Sequence, residues 1–321
     1  PGGLRHPAGA AHPADAMTQS EPQPASGTRP RAIAAYPSRL DTFTDCPRQY
    51  RFRYLDRPPP PRRGAWAHTT LGAAVHVALA RWWATPSEPR TPTQVADEVE
   101  SAWSDDGFAD EAMSLRWLQR ARAMVAAYVA AETDRRRVLE PTGLVEPRRV
   151  ESSVAVRAAE GVALMGRPDR IDERPSIDGT ELVVVDYKAG RNAPSADDAR
   201  TSRTLAIYAA AAEATLRVPA RRVELHHVPT GSVVVWRHDE ASRDRHVTRA
   251  VAVAQECRSS ETTLADGGSP EHLFPPRPGR LFPWCDHRDA CPVGIEEGPA
   301  AQPGAAHEPA EGTAWVDGLR G

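Results

Sequence analysis

Four apolar residues, Leu182-Val183-Val184-Val185, run directly into Asp186-Tyr187-Lys188-Ala189-Gly190. Three of the four are β-branched, and a short bounded run of this kind is the mark of a buried strand. Side chains alternate along a strand, so Asp186 and Lys188, two apart, leave its end on the same face. A carboxylate and an ammonium are thereby delivered together. Lys188 is also the only lysine in 321 residues, in a chain whose lysines and arginines together number 40. Arginine can meet surface charge, salt bridges and phosphate contacts, so the exception points to a task for a compact ammonium or a tunable pKa.

Upstream, Leu164-Met165-Gly166-Arg167-Pro168-Asp169-Arg170-Ile171-Asp172 reads as a second strand carrying another acid, Asp169, and Ser176 to Thr180, with Asp178-Gly179, as the turn between the two. Two carboxylates and a lysine at the ends of adjacent strands suit a hard divalent cation that keeps several waters. Hydrolysis of a phosphodiester is the natural chemistry for such a set. Asp-x-Lys alone is a weak signal; its joining to Gly-x-x-Asp-Arg and an apolar strand is far more specific.

With these two blocks stand three others: Ser38-Arg39-Leu40 through Cys46-Pro47-Arg48-Gln49-Tyr50, Leu71-Gly72-Ala73-Ala74-Val75-His76, and Trp284-Cys285 to Cys291-Pro292. In this order, over roughly residues 36 to 293, the chain resembles the PD-(D/E)xK nuclease superfamily. Within it, the chain resembles the RecB-type exonucleases, which include the nuclease domains of AddB and the CRISPR adaptation nucleases. The resemblance implies an α/β fold with a restriction-endonuclease-like core, a mixed central sheet flanked by helices, and an inserted helical subdomain. It implies His76, Asp169, Asp186 and the backbone carbonyl of Tyr187 as metal ligands, and Lys188 as the catalytic lysine beside Asp186 and Asp169. Taken alone, His76 among Leu71, Val75 and Leu79 would read as a packed helix residue. An imidazole ligand makes Mn²⁺ as fitting as Mg²⁺. Where the family often has a glutamine four residues before the tyrosine of the next helix, this chain has Thr204 before Tyr208.

The related iron-sulfur nucleases clamp their two ends around a cluster with one N-terminal cysteine and a C-terminal Cys-x-x-Cys-x5-Cys. Cys46, Cys285 and Cys291 match three of these positions, and Phe282 stands at the fourth. A standard cluster takes four thiolates. An iron-sulfur cluster is the first expectation for the three thiols, with Cys257, His287 or an external group completing it. The alternatives are a mixed cysteine–histidine zinc site or a vestige holding no metal.

Hydrophobic residues make up 40% and charged residues 26% of the chain, ordinary for a soluble globular protein. Residues 1–35 read as a disordered extension, whose first 16 residues precede the first methionine, Met17. Residues 36–297 read as the nuclease domain and 298–321 as a disordered tail. Within the domain, helical periodicity covers 64–138, broken at Pro86–Pro92, and the core runs over 143–264. The cysteine segment is 280–293. The core is expected as three strands to residue 188, a helix over 205–216, a hairpin over 223–238 and a helix over 240–260. Pro58–Pro61 reads as a stiff spacer. No run is long enough for a membrane helix and no signal core is evident, so the cytoplasm is the expected location.

A formal net charge of −3 advertises no nucleic acid, so any DNA contact must be local. Residues 31–63 carry eight arginines against three aspartates, interleaved with aromatics. Arg48 and Arg51, with Tyr208, are the candidates for touching DNA, expected to be single-stranded or to have free ends; the aromatics read as core. Glu151 could approach the metal from the first strand, with a solvent-facing strand acid as the safer reading, and His226-His227 reads as structural, one ring on each face. The sequence thus points to a metal-dependent DNA exonuclease of repair or recombination, with a helicase as a conceivable partner. The alternative is a nuclease-fold protein that binds DNA or joins a complex and cleaves little.

Overall fold

The computed structural model describes residues 32–85, 90–139, 146–279 and 282–296. The first 31 residues, the tail from 298 and part of the Pro86–Pro92 break lie outside the described residues. From the N-terminus come β1 (Ile33–Ala35), α1 (Pro37–Asp45), α2 (Pro47–Tyr54) and α3 (Ala67–Ala84). Then follow α4 (Pro92–Ser101), α5 (Glu111–Leu139) and the strands β2 (Arg149–Val150), β3 (Val154–Ala159), β4 (Val162–Gly166), β5 (Arg170–Ser176) and β6 (Gly179–Lys188). The chain continues through α6 (Ala196–Thr201), α7 (Arg203–Leu216), β7 (Arg222–His227), β8 (Ser232–Arg237) and α8 (Glu240–Ala265).

Local chemistry sets the boundaries. Proline at the first helical position starts α1 and α2, where its missing N–H costs nothing. Thr91, Ser202 and Asp239 side chains accept from the first-turn N–H groups of α4, α7 and α8, and Ser195 with Asp198 forms a capping box on α6. The helices α3, α4 and α5 fill the helical segment expected over 64–138.

Two sheets form, one of order β1-β4-β3 and one of order β2-β5-β6-β7-β8. In the larger sheet only β6 and β7 run parallel, joined through α6 and α7; the other pairs are antiparallel. Ile33–Ala35, read from sequence as part of the disordered extension, pairs in parallel with β4. The single strand expected over Leu164–Asp172 is two: β4 ends in the small sheet, β5 begins in the large one, and Arg167-Pro168-Asp169 crosses between them. Pro168 has no N–H for a ladder, and Gly166 is where a Cβ would stand 2.3 Å from the Tyr208 ring. The β5–β6 turn is the expected hairpin, with Gly179 at φ 117°, a region costly for any residue with a Cβ.

Strand β6 lies between two helical layers. Val183, Val185 and Tyr187 pack against Leu71, Val75 and Leu79 of α3 and Val125 and Tyr128 of α5. Leu182 and Val184 pack on the other face against Leu205, Ala209 and Ala212 of α7. Leu182 through Val185 are fully buried, each contributing roughly 1.5–3 kcal/mol. A third cluster joins Phe43, Tyr50, Ile207, Cys257 and Phe274 between the N-terminal helices, α8 and the small sheet.

Candidate active site

The buried strand ends where its polar residues begin. Asp186 and Lys188 emerge together, as the alternation requires, with Nζ 2.7 Å from Asp186 Oδ2. The crossing segment brings Asp169 alongside: its Oδ2 accepts from the Tyr187 N–H at 2.7 Å. From α3, His76 donates from Nδ1 to Asp169 Oδ1 at 3.1 Å. Residues separated by more than a hundred positions thus meet at the edge of two sheets and a helix.

The electrostatics are those of crowded acids. Burial raises the Asp186 pKa and the neighbouring Asp169 carboxylate raises it further, against the opposing pull of Lys188 and His76. Burial works against the Lys188 ammonium, but its pairing with Asp186 outweighs this and holds the pKa above the ordinary lysine value. The Asp186 partner thus favours the ammonium form of Lys188. For His76, burial is likewise overcome by Asp169, with Asp186 and Glu151 adding, so its pKa is raised. The Tyr208 hydroxyl is hydrogen-bonded to the Arg167 main chain; burial and then the charges of Asp186 and Asp169 push its pKa up.

Glu151 had two readings, an approach to the metal from the first strand and, as the safer one, a solvent-facing acid; its carboxylate is partly buried beside the site. One donor atom each from His76, Glu151 and Asp169 lie within 4.8 Å of one another. The strand pattern could not decide between the two, because β2 stops at Val150 and Glu151 leaves the strand geometry at φ 45°. A donor set of imidazole nitrogen and carboxylate oxygens fits Mg²⁺ or Mn²⁺. Asp186 adds to the fit: its Oδ2 is buried and, apart from the Lys188 ion pair, has no hydrogen bond.

Behind the site, on the α5 side of the sheet, Arg170 is fully buried. Its Nε lies 3.0 Å from Asp172 Oδ1 and an Nη 2.9 Å from Glu132 Oε1, and its other Nη donates to the Tyr187 hydroxyl at 3.2 Å. Trp83 Nε1 donates to the same hydroxyl at 2.8 Å. Burial opposes the charge of Asp172 and of Glu132, but their arginine neighbours prevail and lower both pKa values. His226 joins this network through Tyr128 and Glu224, while His227 bonds Thr230 and the Gly190 carbonyl; both are structural, as expected.

The arginine-rich segment is largely spent on ion pairs with later parts of the chain. Arg39 pairs with Glu261, Arg62 with Asp286 and Arg63 with Asp289. Arg48 is buried, its Nε 3.4 Å from the Phe274 carbonyl. Arg51 pairs with Asp56 and Glu271. The expectation that Arg48 and Arg51 meet DNA therefore gives way to a structural use for both: they tie α2 to the segment after α8. Tyr50 and Phe52 are core, as read from sequence.

Cys46, Cys285 and Cys291 come near one another: burial raises the Cys285 pKa, with Cys46 and Cys291 adding to the rise. Cys46 and Cys285 line a cleft of about 920 Å³ together with Phe282, Trp284 and Arg277. Phe282 stacks under Arg288 and offers no ligand. Cys257 is elsewhere, buried in the third core cluster beside Tyr50, which removes it as a fourth thiol. His287 is buried against Phe52. Three thiols do not fit a four-thiolate cluster. Thr204 sits in the first turn of α7, one turn before Tyr208.

No helix among the described residues is long and apolar enough to cross a membrane. No match is found among the curated proteins. Among solved structures, the one titled "Crystal structure of SSO0001" is similar at 14% sequence identity and a TM-score of 0.28, over 69% of this chain and 95% of that one. The pattern of one family matches residues 36–292, a span that includes the acid cluster, Lys188 and His76: the chain belongs to the PD-(D/E)XK nuclease superfamily.

Proposed function

We propose that this protein is a metal-dependent DNA exonuclease of RecB type, acting on single-stranded DNA or free ends in repair or recombination. The observation that carries the reading is the convergence of Lys188, Asp186, Asp169 and His76 at one point, with Lys188 Nζ 2.7 Å from Asp186. His76, Asp169, Asp186 and the Tyr187 carbonyl would hold Mg²⁺ or Mn²⁺. The bound ion supplies a polarised phosphodiester and a more acidic water.

The chain's own residues do the rest. Asp186 keeps Lys188 protonated, and the ammonium is placed to orient the attacking water and to offset charge gathering on the phosphoryl oxygens. Water oxygen forms the new bond to phosphorus as the bond to the leaving ribose oxygen breaks; the water releases a proton to solvent and the leaving oxygen takes one from solvent, so the protons balance. Asp169 anchors the Tyr187 N–H and the His76 ring, which fixes the strand end and the helix to each other. Tyr208 lies over Gly166, where it would border the DNA strand.

The test is cleavage of end-labelled single- and double-stranded DNA by the full chain with Mg²⁺ or Mn²⁺, comparing wild type with Lys188→Ala. Metal-dependent cleavage that the variant loses supports the reading. DNA binding without cleavage in either metal, unrelieved by a helicase partner, replaces it with a binding role. Iron content of anaerobically purified protein tests the cysteine expectation in the same preparation.

A further inference from the structure

Glu151 is held in a conformation that its sequence does not favour. At φ 45° it is in the left-handed region, which costs a residue with a Cβ about 1–2 kcal/mol. Two hydrogen bonds impose it: the Glu151 N–H donates to the Asp169 carbonyl at 3.0 Å, and the Glu151 carbonyl accepts from Arg167 Nε at 2.7 Å. Both partners belong to the crossing segment that carries Asp169. The backbone that positions one acid therefore positions the other.

The result is a carboxylate within 4.8 Å of a nitrogen of His76 and an oxygen of Asp169. Donors about 2.1 Å from a single octahedral ion lie roughly 3 to 4.2 Å from each other, so a small closing motion brings all three onto one cation. Beside them stands Asp186, its buried Oδ2 partnered by the Lys188 ammonium alone among the described residues. Among the described residues the cation paired directly with Glu151 is Arg167, 2.9 Å from Oε2, on a side chain 64% exposed. An exposed pair of that kind contributes about 0–1 kcal/mol, too little to account for a strained backbone that glycine would adopt freely.

We infer that Glu151 is a direct ligand of the divalent cation, completing with His76 and Asp169 a shell that the sequence pattern assigns without it. This rests on the metal-centre reading above. Arg167 is then the counter-charge of the metal-free site, leaving the carboxylate as the cation enters.

The experiment is calorimetric titration of the full chain with Mn²⁺ alone, for wild type, Glu151→Gln, Glu151→Gly and Asp169→Asn, with thermal unfolding of each with and without Mn²⁺. Glu151→Gln and Glu151→Gly are expected to bind Mn²⁺ at least tenfold more weakly than wild type and to lose most of its Mn²⁺-induced rise in Tm. Glu151→Gly, freed of the φ strain, should keep or exceed the metal-free Tm of wild type. Wild-type Mn²⁺ affinity in Glu151→Gln, with binding lost in Asp169→Asn, overturns the inference and leaves the metal centre standing. Affinity unchanged in Asp169→Asn, or no binding by wild type, overturns the metal centre and the inference together. A metal-free Tm that falls in both Glu151 variants while Mn²⁺ affinity holds makes Glu151 a structural residue.

Discussion

Strand β6 separates two groups of buried carboxylates that the protein treats in opposite ways. On the α5 side, Asp172, Glu132 and Glu224 are each met by arginine: Arg170, Arg136 and Arg174 span them, with Arg222 on Glu224. Their pKa values are lowered against the cost of burial, by arginine attraction for Asp172 and Glu132 and by the His226 hydrogen bond and then Arg174 for Glu224. At the strand's end, Asp186 and Glu151 adjoin Asp169, and burial and like charge raise their pKa values in spite of one cation each, Lys188 on Asp186 and the exposed Arg167 on Glu151. The first group is complete within the fold. The second is a local conflict, and conflicts of this kind are kept where function uses them.

If that contrast is right, removing charge has opposite consequences on the two sides. The largest effect expected is on catalysis: Lys188→Ala should lower cleavage by about 10²- to 10⁴-fold, and Lys188→Arg should restore little, since a planar guanidinium does not replace a compact ammonium. Steady-state cleavage of end-labelled DNA measures both. The matching stability measurement is Asp186→Asn, which should unfold at the same or higher denaturant concentration than wild type. A large loss of stability there would place Asp186 among the structural acids and erase the contrast.

The opposite sign is expected for Arg170→Met. It removes the fully buried cation between Asp172 and Glu132, leaving Arg136 and Arg174 on the first and Arg135 and Arg136 on the second, and breaking a buried pair from one side costs about 3–5 kcal/mol. Urea unfolding followed by circular dichroism would show it. A loss under 1 kcal/mol would mean that water reaches the network.

The two groups were not equally legible in the sequence. The pair Asp186 and Lys188 was, because a two-residue period after a buried run fixes their common face without knowledge of any neighbour. His76 was legible only through the order of blocks, since a histidine in an apolar helix looks like packing. Glu151 was legible only as the weaker of two readings, because its place depends on two hydrogen bonds to Asp169 and Arg167 and on a backbone turn out of the strand. Arg170 stood in plain view beside Asp169, but its partners come from α5, Glu132, and from two residues on, Asp172, and no local pattern links a helix to a strand 38 positions later. For the same reason the excess of arginine over residues 31–63 suggested DNA, when acids from the C-terminal segment in fact neutralise much of it.

A smaller effect separates the matched group from its surroundings by pH. His238 is buried, and burial first, then His246 and Arg243, lower its pKa to about 4 against the pull of Asp239. The unfolded chain takes up this proton near pH 6.5 and the folded chain only near 4. Stability is therefore whole above pH 6.5 and falls by about 1–3 kcal/mol as the pH drops to 4. Glu224, with its pKa lowered, adds a loss that begins as the pH falls through the ordinary glutamate range, where the unfolded carboxyl protonates and the folded one does not. Denaturation midpoints measured from pH 7.5 to 4 should slope accordingly, and His238→Gln should flatten the upper part of the slope alone.

The smallest effect expected tests whether the two groups are coupled at all. Tyr187 touches both: its hydroxyl receives Trp83 Nε1 and Arg170, while its N–H donates to Asp169. Tyr187→Phe removes the first contacts and leaves the second, at a cost of about 1 kcal/mol. If the arginine network merely fills space behind the sheet, cleavage by the folded variant will match wild type. If the network holds the strand end in register, KM will stay near its wild-type value while kcat falls, because the strand displaces Asp186 and Lys188 without touching the DNA. The second outcome is the one the geometry supports, since Tyr187 lies between the two catalytic side chains and any rocking of its ring must pass through their shared backbone.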